Sequence, residues 1–287
     1  MHHALVFGAS GQIGRSLLRR LAPQAWQVDA VSRRAREPMP GVRWLAGDLD
    51  RIEGLPSRVD AIFSCGPLDR FSHWYAQSTI ACPRVVAFGS TSVEVKQDSD
   101  DAGERDVAVR LREGERLLLE AAGDRGAAAT LLRPTLIYGA AGDRTLTRIA
   151  GIARRWHRFV LPSDAIGLRQ PVHADDLAQA AFAVLDVAAT HGRAYALPGG
   201  EALPYRDMVA RVLAVLHPPA PLHVASPPLF RMLLSLAHAA GIARGFGDAA
   251  VARMRRDLVF DAAPAQRDFG YAPRPFQPTA MMFDAGR

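Results

Sequence analysis

The chain has 287 residues, of which 49% are hydrophobic and 22% charged, a composition that excludes disordered and fibrous proteins. Its net charge of +6 comes from arginines scattered among acids, and Lys96 is the single lysine, so we expect no nucleic-acid partner. Two cysteines are too few for a disulfide framework and favour a cytoplasmic protein. No uncharged apolar run reaches 18 residues, which predicts no membrane span.

Short apolar runs bounded by turn residues alternate with helical patterns in the first half of the chain. Ile13, Leu17 and Leu21 share one face of a first helix, and Val107 to Ala122 follows the same spacing in a later one. Runs that are apolar on both faces are typical of parallel strands covered by helices. We predict such strands at Ala4–Phe7, Val28–Val31, Val42–Leu45, Ala61–Ser64, Val85–Phe88 and Leu131–Leu132.

The second half is richer in proline and in helical patterns. We predict helices at Ala174–Leu185, Tyr205–Leu216, Leu229–Ala240 and Asp248–Leu258. Right-handed crossovers between parallel strands then give an α/β fold, a doubly wound parallel-sheet Rossmann fold with a small, mostly helical C-terminal cap. We expect residues 1–140 to form the nucleotide-binding core, and residues 141–287 to contribute to that core and to form the cap.

A glycine-rich turn joins the first strand to the first helix. Glycines at 8 and 11 let the backbone turn tightly and approach a pyrophosphate, and Gly14 allows close packing of helix on strand. The free N–H groups at the helix N-terminus attract an anion. The segment predicts a dinucleotide site at Gly8, Ser10, Gly11, Gln12, Ile13 and Gly14; an ordinary glycine-rich βα turn is the alternative.

Five further short motifs follow one another along the chain. They are Gly47-Asp48-Leu49, Phe88-Gly89-Ser90-Thr91-Ser92, Leu132 to Gly139 (LRPTLIYG), Val172 to Ala178 (VHADDLA) and Phe269 to Pro273 (FGYAP). With the GxxGxxG turn, the chain resembles the extended and atypical branches of the short-chain dehydrogenase/reductase superfamily, the NAD-dependent epimerase/dehydratase type. The resemblance implies that Asp48, Leu49 and Pro134 lie at the cofactor. Cys65 and Gly66 follow the fourth strand and are expected to face it too, with an ordinary buried thiol as the alternative for Cys65.

The residues after the second strand predict which cofactor is bound. An NAD enzyme places an acid about 20 residues after the glycine turn, to contact the ribose hydroxyls. Here that place holds Ser32, Arg33 and Arg34, and a guanidinium beside a hydroxyl suits a 2′-phosphate. We therefore predict NADP(H) over NAD(H); a solvated arginine cluster is the alternative.

The proton-transfer pair of the resembled family is missing. That pair is a tyrosine with a lysine four residues later, and no tyrosine here is followed at that distance by Lys96. Aligning the helix on Glu115 places Val107 and Leu111 at the two positions. Thr91 resembles the family's carbonyl-orienting hydroxyl, although a slip of one residue would select Ser90 or Ser92, and Tyr138 is the candidate proton donor. As alternatives, Thr91 is a plain strand-end hydroxyl and Tyr138 a packing residue.

The sequence supports two functions. The first is an NADP(H)-dependent oxidoreductase or epimerase-like enzyme that acts on a small carbonyl, alcohol or sugar-type substrate without the usual base. The second is a non-catalytic NADP(H)-binding module, of the redox-sensing or accessory kind. We expect no metal, because His173, Asp175 and Asp176 begin a helix and read as its capping residues. The resemblance also implies a possible homodimer.

Overall fold

The computed structural model describes residues 2–22, 26–140, 142–143, 145–239 and 248–283. Its strands are β1 His2–Phe7, β2 Trp26–Ser32, β3 Val42–Ala46, β4 Ala61–Ser64, β5 Arg84–Phe88, β6 Ala128–Pro134, β7 Ile137–Tyr138, β8 Phe159–Pro162, β9 Leu168–Arg169, β10 Val172–His173, β11 Arg193–Leu197, β12 Leu203–Pro204 and β13 Leu222–Ala225. The helices are α1 Gln12–Leu21, α2 Leu68–Gln77, α3 Ser92–Val95, α4 Ala102–Asp124, α5 Leu146–Trp156, α6 Ala174–Ala183, α7 Tyr205–Ala214, α8 Pro227–Ala239, α9 Asp248–Arg253 and α10 Ala263–Phe269.

Seven strands form one sheet in the order β11-β6-β5-β4-β1-β2-β3, and every neighbouring pair is parallel. The order runs outward from β1 in both directions, which is the doubly wound arrangement. The predicted α/β Rossmann fold is therefore confirmed. Because all carboxyl ends of a parallel sheet meet at one edge, the loops after β1, β2, β4, β5 and β6 face the same space.

Apolar side chains fill both faces of the sheet. On one face, α1 and α6 cover β1 and β2 through Leu17, Val28 and Ala181; on the other, α2 and α4 bring Phe71 and Leu118 onto the sheet. A third buried cluster lies between α5, α7 and the C-terminal segment, and Tyr138 of β7 belongs to it. The division into residues 1–140 and 141–287 stays a prediction, as does the homodimer.

The structure corrects two predicted elements. The sixth strand extends over Ala128–Pro134, because Ala128 and its neighbours pair with β5 in register. The helix predicted at Asp248–Leu258 ends at Arg253, and the following segment turns back, where Leu258 N–H donates to the Leu168 carbonyl over 2.9 Å. Ala240 and the predicted Gly245–Gly247 break lie outside the described residues.

Helix α8 begins at Pro227, two residues before its predicted start. Leu229, Met232 and Leu236 are exposed on it, whereas Phe230 is buried. Within the described ranges, the helices lack either the length or the apolar character needed to cross a membrane. In the same ranges, no three His, Cys, Asp or Glu side chains come together in a way that could hold a metal ion.

Candidate active site at the carboxyl edge of the sheet

A cavity of about 180 Å³, here called the glycine-turn cavity, opens where β1, β2 and β4 end. Each of these strands is followed at once by a residue predicted to bind cofactor. Seven such residues line the cavity together: Gly8, Ser10, Ser32, Arg33, Asp48, Leu49 and Gly66. The fold thus brings together positions that are up to 58 residues apart in sequence, from Gly8 to Gly66.

The three glycines of the turn each meet a steric requirement. Gly8 has φ +67°, and a Cβ there would lie 2.7 Å from the carbonyl carbon of Cys65, so the two strand ends touch through their backbones. A Cβ on Gly14 would overlap the Gly8 carbonyl oxygen, which is the close packing of helix on strand that the sequence predicts. Gly11 N–H closes the turn by donating to the Gly8 carbonyl over 2.9 Å.

The start of α1 offers a site for an anion. Its N-cap residue is Gly11, no side chain caps it, and no acid lies in the first turn. The free N–H groups and the helix dipole therefore face the cavity side without a competing charge. The buried Gln12 Oε1 finds no hydrogen-bond partner among the described residues; as an acceptor it calls for a donor such as a hydroxyl, not for a phosphate oxygen. A Cβ on Gly66 would meet no atom within 4 Å, so there is open space beside this residue. These features fit a bound dinucleotide pyrophosphate.

The loop after β2 is organised by a buried hydroxyl. Ser32 Oγ donates to the Arg34 carbonyl over 2.8 Å and accepts from Arg36 Nε at 3.2 Å. Arg33 is exposed, lines the cavity and makes no hydrogen bond or ion pair to a described residue. Arg34 is exposed and does not line the cavity, so its described part in the site is the backbone carbonyl. Of the two predicted arginines, Arg33 is the one placed to reach a ligand.

Asp48 supplies a carboxylate to the same cavity. The Asp50 N–H donates to it over 3.0 Å, and this bond, helped by the charges of Arg70 and Arg33, lowers the pKa of Asp48. Arg70, on α2, also lines the cavity and pairs with Asp50 at 2.6 Å. Sequence reasoning missed Arg70, whose position six residues after β4 was the available signal.

Cys65 lies behind the turn. Its backbone N–H donates to the Phe7 carbonyl over 2.9 Å, and burial raises the pKa of its thiol to about 12. A thiol with so high a pKa stays protonated, so Cys65 contributes backbone and packing rather than reactivity.

A second cavity of about 340 Å³, here called the cationic cavity, lies where β5 and β6 end. Ser90, Thr91 and Ser92 form one wall. Four cationic side chains line it, and the described lining residues include no carboxylate; these cations are Lys96, Arg148, Arg169 and Arg253. The sequence pointed to this wall through Thr91, but it missed the four cations.

The wall hydroxyls are not equivalent. Thr91 Oγ1 lies 3.3 Å from the Pro134 carbonyl, to which it donates, and Thr91 N–H donates to the same oxygen at 3.2 Å. Thr91 thus presents only lone pairs to the cavity. Ser90 Oγ accepts from Ser92 N–H at 3.1 Å, which leaves its own proton available toward the cavity. The placement favours Ser90 over Thr91 as the donor to a carbonyl, the alternative register raised from the sequence. Pro134 acts here through its carbonyl.

Lys96 follows the short helix α3, and its Nζ lies 3.8 Å from Glu104 Oε1 on α4. Arg253 on α9 pairs with the same carboxylate. Arg169 donates to the backbone carbonyls of Leu168 and Arg256 and stacks on the Tyr205 ring at 5.2 Å. Burial lowers the pKa of both Lys96 and Arg169, because it removes water from around the two charged groups.

Tyr138 lies away from both cavities. It is fully buried, its hydroxyl sits 3.4 Å from the Pro275 carbonyl, and its ring packs edge-on against His173 and Phe276. Burial raises the pKa of this phenol. The location favours the packing role that the sequence left open. It removes the reason for proposing Tyr138 as the proton donor, because this last residue of β7 packs in a buried cluster and lines neither cavity.

Val107 and Leu111 occupy the positions that the sequence predicts for the tyrosine and lysine of the resembled family. Val107 and Leu111 are half-buried on α4, and Leu111 packs against the sheet core. Four residues after Leu111, the buried Glu115 accepts from Arg133 at 2.8 and 2.5 Å. Helix α4 is thus pinned to β6 by an ion pair and by apolar contacts.

Known proteins resemble this chain in sequence. Residues 105–197 match the model of the NAD dependent epimerase/dehydratase family. A 2-alkyl-3-oxoalkanoate reductase from Stenotrophomonas maltophilia is 25% identical, with 94% of each chain covered.

Solved structures share the whole fold. A structure of MoeE5 in complex with UDP-glucose and NAD has a TM-score of 0.69 at 21% identity and covers 98% of this chain and 96% of the other. A UDP-glucuronic acid 4-epimerase from Bacillus cereus in complex with NAD has a TM-score of 0.67 at 13% identity, with 94% and 93% covered. The predicted resemblance to the extended short-chain dehydrogenase/reductase superfamily is confirmed.

Proposed function

We propose that this chain, which resembles the epimerase/dehydratase branch in sequence and fold, is an NADP(H)-dependent reductase of a carbonyl substrate that works without the tyrosine-lysine pair. The observation that carries the proposal is the joining of Gly8, Ser10 and Arg33 around one cavity, next to the uncapped N-terminus of α1 and beside a second cavity at the same sheet edge. The cofactor, when bound, supplies or accepts the hydride.

Arg33 supports the choice of NADP(H). Arg33 lines the glycine-turn cavity, where its charge acts on Asp48, and it makes no hydrogen bond or ion pair to a described residue. A dianionic 2′-phosphate would supply that partner, and the guanidinium fork matches phosphate oxygens in two directions. The solved relatives named above hold NAD. The preference is therefore proposed from this chain's own residues.

Two adjoining cavities support a substrate with a polar head and an apolar tail. Met254 lines the cationic cavity and also an apolar cavity of about 330 Å³. The apolar cavity is walled by side chains from α5, β8 and α8, among them Ile152, Phe159, Leu161, Phe230 and Leu234. The polar head of such a substrate would place its carbonyl beside Ser90 and its anionic group among the arginines of the cationic cavity. The Stenotrophomonas relative is named for reducing 2-alkyl-3-oxoalkanoates, which have this build.

The test is hydride transfer with purified protein. We expect loss of NADPH absorbance with a 2-alkyl-3-oxoalkanoate, and slower loss with a short aldehyde that lacks tail and carboxylate. UDP-glucose with NAD⁺ serves as the epimerase arm, in which we expect no product. Turnover of UDP-glucose without reduction of the oxoalkanoate would contradict the proposal.

A non-catalytic NADP(H)-binding module is the second candidate. Apolar Val107 and Leu111 at the usual base positions favour it, together with the exposed Leu229, Met232 and Leu236 on α8. This candidate predicts tight NADPH binding that persists without oxidation on every probe of the panel. The hydride-transfer assay therefore separates the two.

A further inference from the structure

The single lysine of this chain sits in the cationic cavity, at the sheet edge where the proposed reduction takes place. Its side chain is 24% exposed, and it shares the cavity with Ser90 and Thr91. Resting on the proposed function, we infer that Lys96 is the catalytic acid-base residue, the group that gives a proton to the substrate oxygen in reduction and removes it in oxidation.

The inference for Lys96 is based on where its side chain lies. Helix α3 holds Lys96 four residues after Ser92, so the amine returns to the cavity wall that bears the hydroxyls. Its ion-pair partner Glu104 lies on α4, three residues before Val107. The amine is thus tied to the first turns of α4, the helix that carries the position predicted for the family's tyrosine. Tyr138 and Cys65 are committed elsewhere, to the core and to the back of the glycine turn.

The charges facing Lys96 come from several elements. Glu104 on α4 holds the ammonium at 3.8 Å, and Asp101 precedes the same helix. Arg253 on α9 competes for Glu104, while Arg148 and Arg169 line the far side. Burial, and then the charge of Arg253, lower the pKa of Lys96 below its ordinary value, whereas Asp101 acts in the other direction. A lysine of lowered pKa is a stronger acid, and its neutral amine is accessible nearer pH 7.

The proton balance is simple. In reduction, the carbonyl carbon receives the hydride, the π electron pair of the carbonyl moves to oxygen, and that oxygen takes a proton from the Lys96 ammonium. The neutral amine then takes a proton from water. The Ser90 hydroxyl orients the carbonyl by donating to the same oxygen.

Because Lys96 is the only lysine, its titration can be followed by itself. Reductive methylation with ¹³C-formaldehyde labels Lys96 and the N-terminal amine, and the signal that is missing in Lys96→Arg belongs to Lys96. We expect its titration midpoint to lie about half a pH unit or more lower with NADP⁺ bound than with NADPH bound, since the oxidised ring adds a positive charge beside the amine.

The outcomes are separable. If neither cofactor form binds the wild type, the proposed function itself fails before any lysine is titrated. If both forms bind and the Lys96 midpoint is the same with each, the inference for Lys96 is overturned and the proposed function stands.

Two variants test the chemistry directly, with a 2-alkyl-3-oxoalkanoate and NADPH. Lys96→Met removes the charge, and Lys96→Arg keeps a cation that does not release its proton. We expect kcat to fall about 10²- to 10⁴-fold in both, with NADPH affinity retained as evidence of folding. We also expect the pH dependence assigned to Lys96 to vanish. Recovery of wild-type kcat in Lys96→Arg would assign a structural role to the lysine and overturn the inference.

Discussion

At the scale of single residues, the proposed preference for NADP(H) rests on one exposed arginine. Arg33 lines the glycine-turn cavity, while the neighbouring Arg34 and Arg36 are tied to Ser32 through backbone and side chain. Of the three arginines, only Arg33 lines the cavity. This differs from a solvated cluster, in which all three would be equivalent.

Replacing that residue tests the assignment. Arg33→Ala should weaken NADP⁺ binding by about tenfold or more and leave NAD⁺ binding within about twofold, because the lost charge-assisted bonds reach only the 2′-phosphate. Isothermal titration calorimetry measures both. Arg51→Ala, which removes the same charge from a side chain that pairs with Glu53 outside the cavity, is the matched control. Equal loss in the two variants would assign Arg33 to general electrostatics.

A buried histidine gives a pH effect with a defined sign. His173 Nδ1 accepts from Asp175 N–H at 3.1 Å and caps α6, and burial, followed by the charge of Arg274, lowers the pKa of His173. Below about pH 6.5 the unfolded chain takes up this proton more readily than the native one, so stability falls as the pH drops from there.

The variant His173→Asn keeps a good N-cap and removes the titration. Urea unfolding between pH 8 and 5 should therefore show a smaller loss of unfolding free energy for His173→Asn than for the wild type. The same slope in both proteins would mean that His173 titrates normally in the native state.

At the scale of elements, glycine spacing predicts close contacts that the structure then shows. A Cβ on Gly14 would overlap the Gly8 carbonyl oxygen, so Gly14→Ala must displace α1 from β1. We expect a loss of a few kcal/mol in unfolding free energy, typical of overpacking, and loss of NADP⁺ binding. Gly151→Ala in the middle of α5 has open space around the new methyl group and is expected to gain up to about 1 kcal/mol. Thermal unfolding with and without NADP⁺ distinguishes them.

The ion pair between α4 and β6 makes a second prediction at this scale. Glu115 is buried and accepts two hydrogen bonds from Arg133. Glu115→Gln leaves Arg133 with Glu94, 2.9 Å away, as its remaining carboxylate partner and should cost about 1 to 3 kcal/mol in unfolding free energy. Glu113→Gln, on the exposed side of the same helix, should leave stability unchanged within error. Urea denaturation of both variants is the measurement.

The sequence could predict the sheet and the glycine turn because both depend on local signals. Apolar runs bounded by turns located β1 to β6, and the 8, 11, 14 spacing located the turn. The edge strand β11 was missed, since Arg193–Leu197 is exposed at its start and alternates only over its last residues. The cationic cavity could not be predicted, because Lys96, Arg169 and Arg253 meet only through tertiary packing of α3, β9 and α9.

At the scale of the whole molecule, both halves of the chain supply side chains to one edge of the sheet. The core supplies the glycine-turn cavity and the hydroxyl wall, while the second half supplies Arg148, Arg169 and Arg253 to the cationic cavity. Met254 then connects that cavity to the apolar one. Hydride and proton chemistry would thus occur at the junction, with an apolar tail held by α5 and α8.

The measurement that most directly tests this account is calorimetric titration of the wild-type protein with NADP⁺ and with NAD⁺ under one buffer condition. The account predicts a single site that binds NADP⁺ about tenfold or more tightly than NAD⁺, since only the phosphorylated cofactor engages Arg33. Absence of heat with both nucleotides, or tighter binding of NAD⁺, would contradict it.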